Sequence, residues 1–290
     1  MSITVMKFGG TSVANWSRVE VVTNIIKKRL SSNKQRILVV VSAMGGETNK
    51  LIGGFKEIDN DINNPEYDVI LSTGEQFSSA FLSTALNKSG IISRSLMGWQ
   101  IPILTDSHYS KARILSVDTS NIKRFFKKYR VLVVAGFQGI TKDNRITTFG
   151  RGGSDTSAVA MAVALKSKCC EIFTDVDGIY SADPRIVKNA RKIKKITYEE
   201  ILEMASLGSK VLHPRSVELA MKYGIKIHVR SSFTKKFGTM VVKEEKTMEK
   251  EMVSGISSSD NEANITLKGI PDKPGIAAKI FGFLADLNIN

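Results

Sequence analysis

The sequence predicts an α/β protein: a three-layer αβα sandwich on a mostly parallel central sheet, followed by a fragment of a smaller α+β domain. Three observations predict it. Short apolar runs recur at residues 3–8, 37–41, 69–71, 131–135, 171–174 and 225–229. Segments with helical spacing of apolar residues alternate with them, as in parallel sheets covered on both faces. Glycine-rich motifs fall where the runs end, and such sheets bind ligands at those ends.

The first run, ITVMKF, alternates like a strand, and Val19, Val22, Ile26 and Leu30 then line one face of a helix. Residues 37–41 and 69–71 read as further strands. Phe77, Phe81 and Ala85 mark the apolar face of a helix that ends near Gly90. After the strand at 131–135, Ser154 and Asp155 open an Ala-rich helix, and 171–174 is the next strand. Thr197 with Glu200 three residues later has the spacing of a capping box, and Gly208 is the matching stop. The strand at 225–229 completes a unit spanning residues 1–245. Residues 246–290 are a linker and the first part of a second domain. The stretch 243–250 is charged without an apolar stripe; 264–270 alternates like a strand, 271–275 turns, and 276–287 has helical spacing. One strand and one helix cannot bury an apolar face alone, so the missing strands lie beyond a cut or on a partner chain.

The 290 residues are 42% hydrophobic and 24% charged, the balance of a soluble globular protein. No apolar run is long enough to span a bilayer, and the chain opens on a strand rather than a leader, so no membrane association and a cytoplasmic location are expected. Cys169 and Cys170 are adjacent, poor geometry for a structural disulfide. A net charge of +14 raises nucleic-acid binding. The basic residues are scattered, though, except at 123–130 and 188–195, and no recognition motif accompanies them. We expect no nucleic-acid partner; the basic surface steers anionic substrates instead.

Residues 7–12, KFGGTS, hold the first chemical signal. Gly9 and Gly10 let backbone N–H groups approach an anion, Lys7 adds a compact positive charge, and Thr11 and Ser12 add hydroxyls; an ordinary strand-to-helix turn is the alternative. The second signal, TFGRGGSDTS over 148–157, resembles an incomplete dinucleotide fingerprint. It leaves a glycine loop carrying Arg151, whose guanidinium suits a carboxylate. Asp155 caps the helix, orients lysines around a phosphate, or does both. In 173–185, FTDVDGIYSADPR, three aspartates surround a glycine without the spacing of a calcium loop, so a nucleotide-facing loop with Tyr180 against the base is the better reading. STGEQ (72–76) places Glu75 at a helix start, as a dipole contact or an acceptor for an ammonium group. Lys210 alone would be a surface lysine. No glycine is followed by lysine, which excludes a P-loop, and the protein-kinase signatures are missing. His108, His213 and His228 are too widely spaced in sequence to suggest a zinc site.

Together these motifs resemble the aspartate kinases of the amino-acid kinase family. The matching stretches are KFGGTS, VVSAMGGETN (40–49), STGEQ, GWQ and LTD (98–106), FQG (137–139), GRGGSDTSA (150–158), TDVDGIYSADPR (174–185) and GSKVLHPRS (208–216), in family order. The C-terminal segment resembles the start of an ACT regulatory domain. The resemblance implies a transferase that phosphorylates the β-carboxylate of L-aspartate with ATP and Mg²⁺, the first step toward lysine, threonine, methionine and diaminopimelate. By motif position, Lys7, Phe8, Gly9 and Gly10 hold ATP phosphates, and Thr174, Asp175, Tyr180, Arg185, Lys210 and Val211 surround the nucleoside. Ser42, Thr48, Glu75, Arg151 and Ser154 contact aspartate, Glu75 taking its ammonium group and Arg151 with Ser154 its α-carboxylate. Lys7 and Asp155 are the catalytic residues, Asp155 organising the lysine. No protein metal cage is implied, since Mg²⁺ is held mainly by the ATP phosphates. A homodimer or higher homo-oligomer, and allosteric regulation of a longer form by lysine or threonine, are further implications. Ile101-Pro102 and Phe149 depart from the family pattern near the substrate loops, without removing a charge. The rivals are a sister kinase for acetylglutamate, glutamate or UMP, a non-catalytic regulatory subunit, and a nucleic-acid binder.

Overall fold

The computed structural model describes residues 2–30, 35–206, 211–244, 255–257 and 275–286. The chain divides into two compact units, Met1–Ser258 and Ser259–Asn290.

The first unit opens with β1 (Ser2–Phe8), a short 3₁₀ turn (Gly10–Val13), α1 (Trp16–Arg29) and β2 (Gln35–Val41). Two helices follow, α2 (Glu47–Lys56) and α3 (Pro65–Lys88), then β3 (Ser93–Leu96), β4 (Ile103–Thr105) and β5 (Ile114–Val117). Next come α4 (Ser120–Phe125), β6 (Val131–Ala135), β7 (Gln138–Ile140), β8 (Ile146–Thr148) and α5 (Gly153–Ala164). The unit ends with β9 (Cys169–Thr174), β10 (Ile179–Tyr180), β11 (Lys192–Ile193), β12 (Lys195–Thr197), α6 (Tyr198–Ser206), α7 (Pro214–Tyr223), β13 (Lys226–Ser231) and β14 (Thr239–Val242). The second unit contributes α8 (Ile276–Asp286), on the segment whose spacing predicts a helix.

Eight strands form the main sheet in the order β12-β14-β13-β9-β1-β2-β6-β3, parallel except for the β13–β14 pair. Its central strands β1, β2 and β6 are largely apolar because both of their faces are covered. Val5, Leu38, Val40, Leu132 and Val134 belong to a core shared with α5, α6 and α7. Their neighbours Met6, Ile37, Val39, Val41, Val131 and Val133 belong to a second core with α1 and α3. The alternation is that of a pleated strand between two helical layers. A smaller sheet, β5-β4-β7-β8, and the β10–β11 pair lie outside this register.

Two expectations fail in one place. Residues 69–71 are not a strand, and Glu75 is not at a helix start. Both lie inside α3, which begins at Pro65 with Asn64 as its cap, the Asn64 side chain accepting from the Glu66 N–H. An Asn cap, a first-turn proline and early acidic residues outweigh three β-prone side chains. Phe77 and Phe81 are not on the buried face either. They are exposed and cluster with Trp16, whose ring centroid lies 4.2 Å from that of Phe81, while Ser78, Leu82 and Leu86 face the core. The capping box holds: Thr197 N donates to Glu200 Oε2 at 2.8 Å and Glu200 N to Thr197 Oγ1 at 3.2 Å. Gly208, residues 245–250 and the expected strand at 264–270 lie outside the described residues. Among the described residues no helix is long and apolar enough to cross a membrane.

Candidate active site

The pleat of β1 sends Met6 and Phe8 toward α1 and Lys7 toward α5. There the Lys7 ammonium meets Asp155 in the first turn of α5, Nζ to Oδ1 2.6 Å, with the two side chains 11% and 12% exposed. The cap position of α5 is Gly152, with no side-chain cap, so the capping alternative for Asp155 gives way to the ion pair. After Lys7 the chain must pass close to its neighbours. Gly9 N donates to Phe173 O at 3.1 Å, and a Cβ on Gly10 would stand 2.9 Å from the Ala43 carbonyl oxygen. Ser12 is fully buried and accepts a 2.8 Å hydrogen bond from Ser232 Oγ, which in turn accepts from the Arg18 guanidinium.

α3 supplies the opposite wall. Gly74 lies flat against Ala43, where any side chain would collide, and this brings Glu75 beneath the loop after β2. Glu75 is 3% exposed; its Oε1 accepts from Ala43 N at 3.0 Å and its Oε2 is buried without a hydrogen-bond partner. Burial pushes this carboxyl up to about 8, against the pull of the Ala43 N–H and the charge of Lys7. Ser42 is tied to the first loop through Ser42 N–Phe8 O at 3.1 Å, and Thr48 stands half-buried in the first turn of α2.

Arg151 is exposed on the loop into α5, between Gly150 and Gly152 at φ +73° and +67°. Position 152 needs glycine twice over, because a Cβ there would also strike the His213 ring. Ser154, in the first turn of α5, is buried beside Asp155. Lys7 pairs with the first turn of α5 and Arg151 sits on the loop that enters it, so α5 links the two. Asp68 is a residue that motif reading misses. Fully buried on α3, it accepts from Ser110 N at 3.0 Å and from Thr148 N and Oγ1 at 2.7 Å, so it moors the Arg151 loop to α3. Burial raises its carboxyl despite these donors. Its signal is the spacing Asp68, Ser72, Glu75, which places three polar groups on one face once the segment is known to be a helix.

A second cluster follows β9. Thr174 Oγ1 donates to Asp175 at 2.9 Å and Tyr180 OH to Asp177 at 2.6 Å. Asp177 also pairs with Lys236 (2.8 Å) and Lys192 (3.6 Å); burial opposes its ionisation, but these contacts outweigh that and hold it at about 2. Arg185 is exposed and bonded to Asp183 in its own segment, Nη2–Oδ2 2.7 Å. Val211 is half-buried against the core, and Lys210 lies outside the described residues. The two clusters join where Phe8 stacks on Phe173 at 4.7 Å. Ile101 and Phe149 are core residues, so these departures fill the protein interior. Among the described residues no three acidic, His or Cys side chains gather as a metal-ligand set.

The sequence matches the amino acid kinase family over residues 2–231. All 290 residues also align with an aspartate kinase of Pseudomonas putida at 50% identity, covering 70% of that protein. The chain belongs to the aspartate kinase family. An aspartokinase of Geobacillus stearothermophilus is 47% identical over 291 residues, with 71% of its length covered. Among solved structures, E. coli aspartokinase III in complex with aspartate and ADP superposes with a TM-score of 0.76 at 27% identity, over all of this chain and 75% of that one. The aspartate kinase from Synechocystis gives 0.75 at 38% identity; this chain spans 49% of its length. The family's α/β fold with a mostly parallel sheet is therefore the fold of this chain.

Proposed function

We propose that this cleft transfers the γ-phosphoryl group of ATP to the β-carboxylate of L-aspartate, giving 4-phospho-L-aspartate and ADP. The observation that carries the reading is the buried, partnerless Glu75 oxygen beside the Lys7–Asp155 pair. A buried acceptor of that kind suits a substrate with its own ammonium group. The high pKa of empty Glu75 falls when that cation arrives. Arg151 and Ser154 then take the α-carboxylate, with Ser42 and Thr48 along the side, which leaves the β-carboxylate toward Lys7.

The acceptor is already ionised at neutral pH and needs no general base. The protein's work is in-line positioning and stabilisation of charge on the phosphoryl oxygens. The Lys7 ammonium lies at the phosphate end, Asp155 keeps it in place, and the amides of Gly9 and Gly10 approach the phosphates. Thr174, Asp175, Tyr180, Arg185, Lys210 and Val211 take the nucleoside. Mg²⁺, when bound with ATP, neutralises phosphate charge and is held mainly by the phosphates themselves.

We assign residues 246–290 to a linker and the start of an ACT-type regulatory domain, and a homo-oligomeric, cytoplasmic enzyme to the same reading. Regulation of a longer form by an amino acid is supported by the solved complex of E. coli aspartokinase III with lysine and aspartate. Hydroxylamine trapping of the acyl phosphate tests the activity, with ATP, Mg²⁺ and aspartate, glutamate or acetylglutamate. Hydroxamate with aspartate alone is expected. An equal yield from glutamate overturns the substrate, and no yield from any overturns the reaction.

A further inference from the structure

On the α1 side of the sheet, a pocket of about 420 Å³ opens between α1 and strands β9 and β13. None of its charged lining takes part in the reaction above. At its base the Glu171 carboxylate, a side chain only 4% exposed, is held by Arg29 at 2.6 Å and Arg230 at 3.1 Å. Lys28 and Lys235 also line it, and neither has an ion-pair partner among the described residues. Four cations therefore face one carboxylate, and that carboxylate already spends its two oxygens fixing two guanidiniums. Arg230 retains a buried Nε with no hydrogen-bond partner. The uncharged lining combines apolar Met6, Ile25, Phe173 and Phe233 with a polar strip of Asn24, Ser231, Ser232 and Thr234, and the Arg18 guanidinium stacks 3.6 Å from the centre of the Phe233 ring.

We propose that this pocket is a binding site for a small organic anion: an apolar body of about ring size carrying a carboxylate or a phosphate. The volume falls within the range of small-ligand sites, and a few fixed polar groups over an apolar wall are their usual composition. Guanidiniums held by a buried carboxylate are pre-ordered, so the anion meets donors whose side-chain freedom is already lost. The apolar wall excludes a bare inorganic ion as the best ligand.

Calorimetric titration of the 290-residue protein tests this, with the nucleotide cleft filled by a non-hydrolysable ATP analogue and Mg²⁺. Phenyl phosphate and benzoate are the two anionic probes, and the tighter one identifies the head group. Inorganic phosphate lacks the body and benzylamine reverses the charge. Expected is one-to-one binding of an aromatic anion, with weaker inorganic phosphate and no benzylamine binding. In Lys235→Glu, and separately in Val21→Trp, which fills the cavity from the exposed side of α1, affinity falls about tenfold or more, the effect of losing one charge-assisted contact. No binding of either aromatic anion, wild-type affinity in both variants, or inorganic phosphate binding as tightly as phenyl phosphate overturns the proposal. Hydroxamate formation is read separately, so loss of the pocket does not touch the kinase assignment.

Discussion

The group around Lys7 and the segment after β9, which the proposed reaction brings together, are built differently. In the cleft, charged groups from β1, α3 and α5 are buried and meet across 68 to 148 residues of sequence. After β9, Thr174 pairs with Asp175, Tyr180 with Asp177 and Arg185 with Asp183, each within three residues; Asp175 and Arg185 are exposed, while Asp177 is 11% exposed and also reaches Lys192 and Lys236. Buried charges are costly to hold and sensitive to any lost partner, whereas exposed pairs are screened and worth little. The phosphoryl-transfer end is therefore rigid and intolerant of change. After β9, adaptability belongs to the exposed Arg185–Asp183 pair.

Substitutions sharpen that contrast. Lys7→Ala is expected to slow turnover by about 10²–10³-fold, comparable to losing one preorganised electrostatic donor, as read from kcat at saturating substrates. Wild-type-like turnover removes Lys7 from the chemistry. Arg151→Ala should raise the aspartate KM by about 10- to 100-fold, the worth of a charge-assisted contact, with the ATP KM little changed. Equal losses for ATP and aspartate indicate a collapsed loop instead. Glu75→Gln should weaken aspartate by a similar factor while stabilising the empty protein at pH 8. The sign follows from the pKa: the folded carboxyl, raised from 4.5 to about 8, keeps a proton that the unfolded chain has released, so stability falls as pH rises between those values. Thermal melts of variant and wild type should diverge toward pH 8 and converge toward pH 5. In the wild type, kcat/KM for aspartate should climb with pH toward about 8, as empty Glu75 gains the charge that accepts an ammonium. At the smallest end, Arg185→Ala should change the ATP KM by only about two- to fivefold, since solvent and salt screen an exposed pair. A loss matching that of Lys7→Ala would erase the distinction between the two regions.

The same contrast governs what was legible in the sequence. Local signals read well: the strand running into Lys7 and two glycines, the helix opened by Ser154 and Asp155, the Thr197–Glu200 box. Each depends on neighbours in the chain. α3 did not read well, because its buried face is partly polar, with Asp68, Ser72, Glu75, Ser79 and Ser83 turned inward. The apolar trio at 69–71 then passes for a strand, and Phe77 and Phe81 pass for core. Asp68 is invisible until β8 and the loop at Ser110 arrive from elsewhere in the fold. The strands β4, β7 and β8 are three residues each, too short for a period to be seen.

Ser12 touches Ser232 across 220 residues, and Lys7 waits on Asp155 across 148. A ribosome that has made β1 has made the motif but none of its scaffold. The first loop acquires its final anchor only when β13 has emerged and docked, so nucleotide affinity marks a nearly finished catalytic unit, and an early-terminated chain carries the phosphate motif without the means to use it.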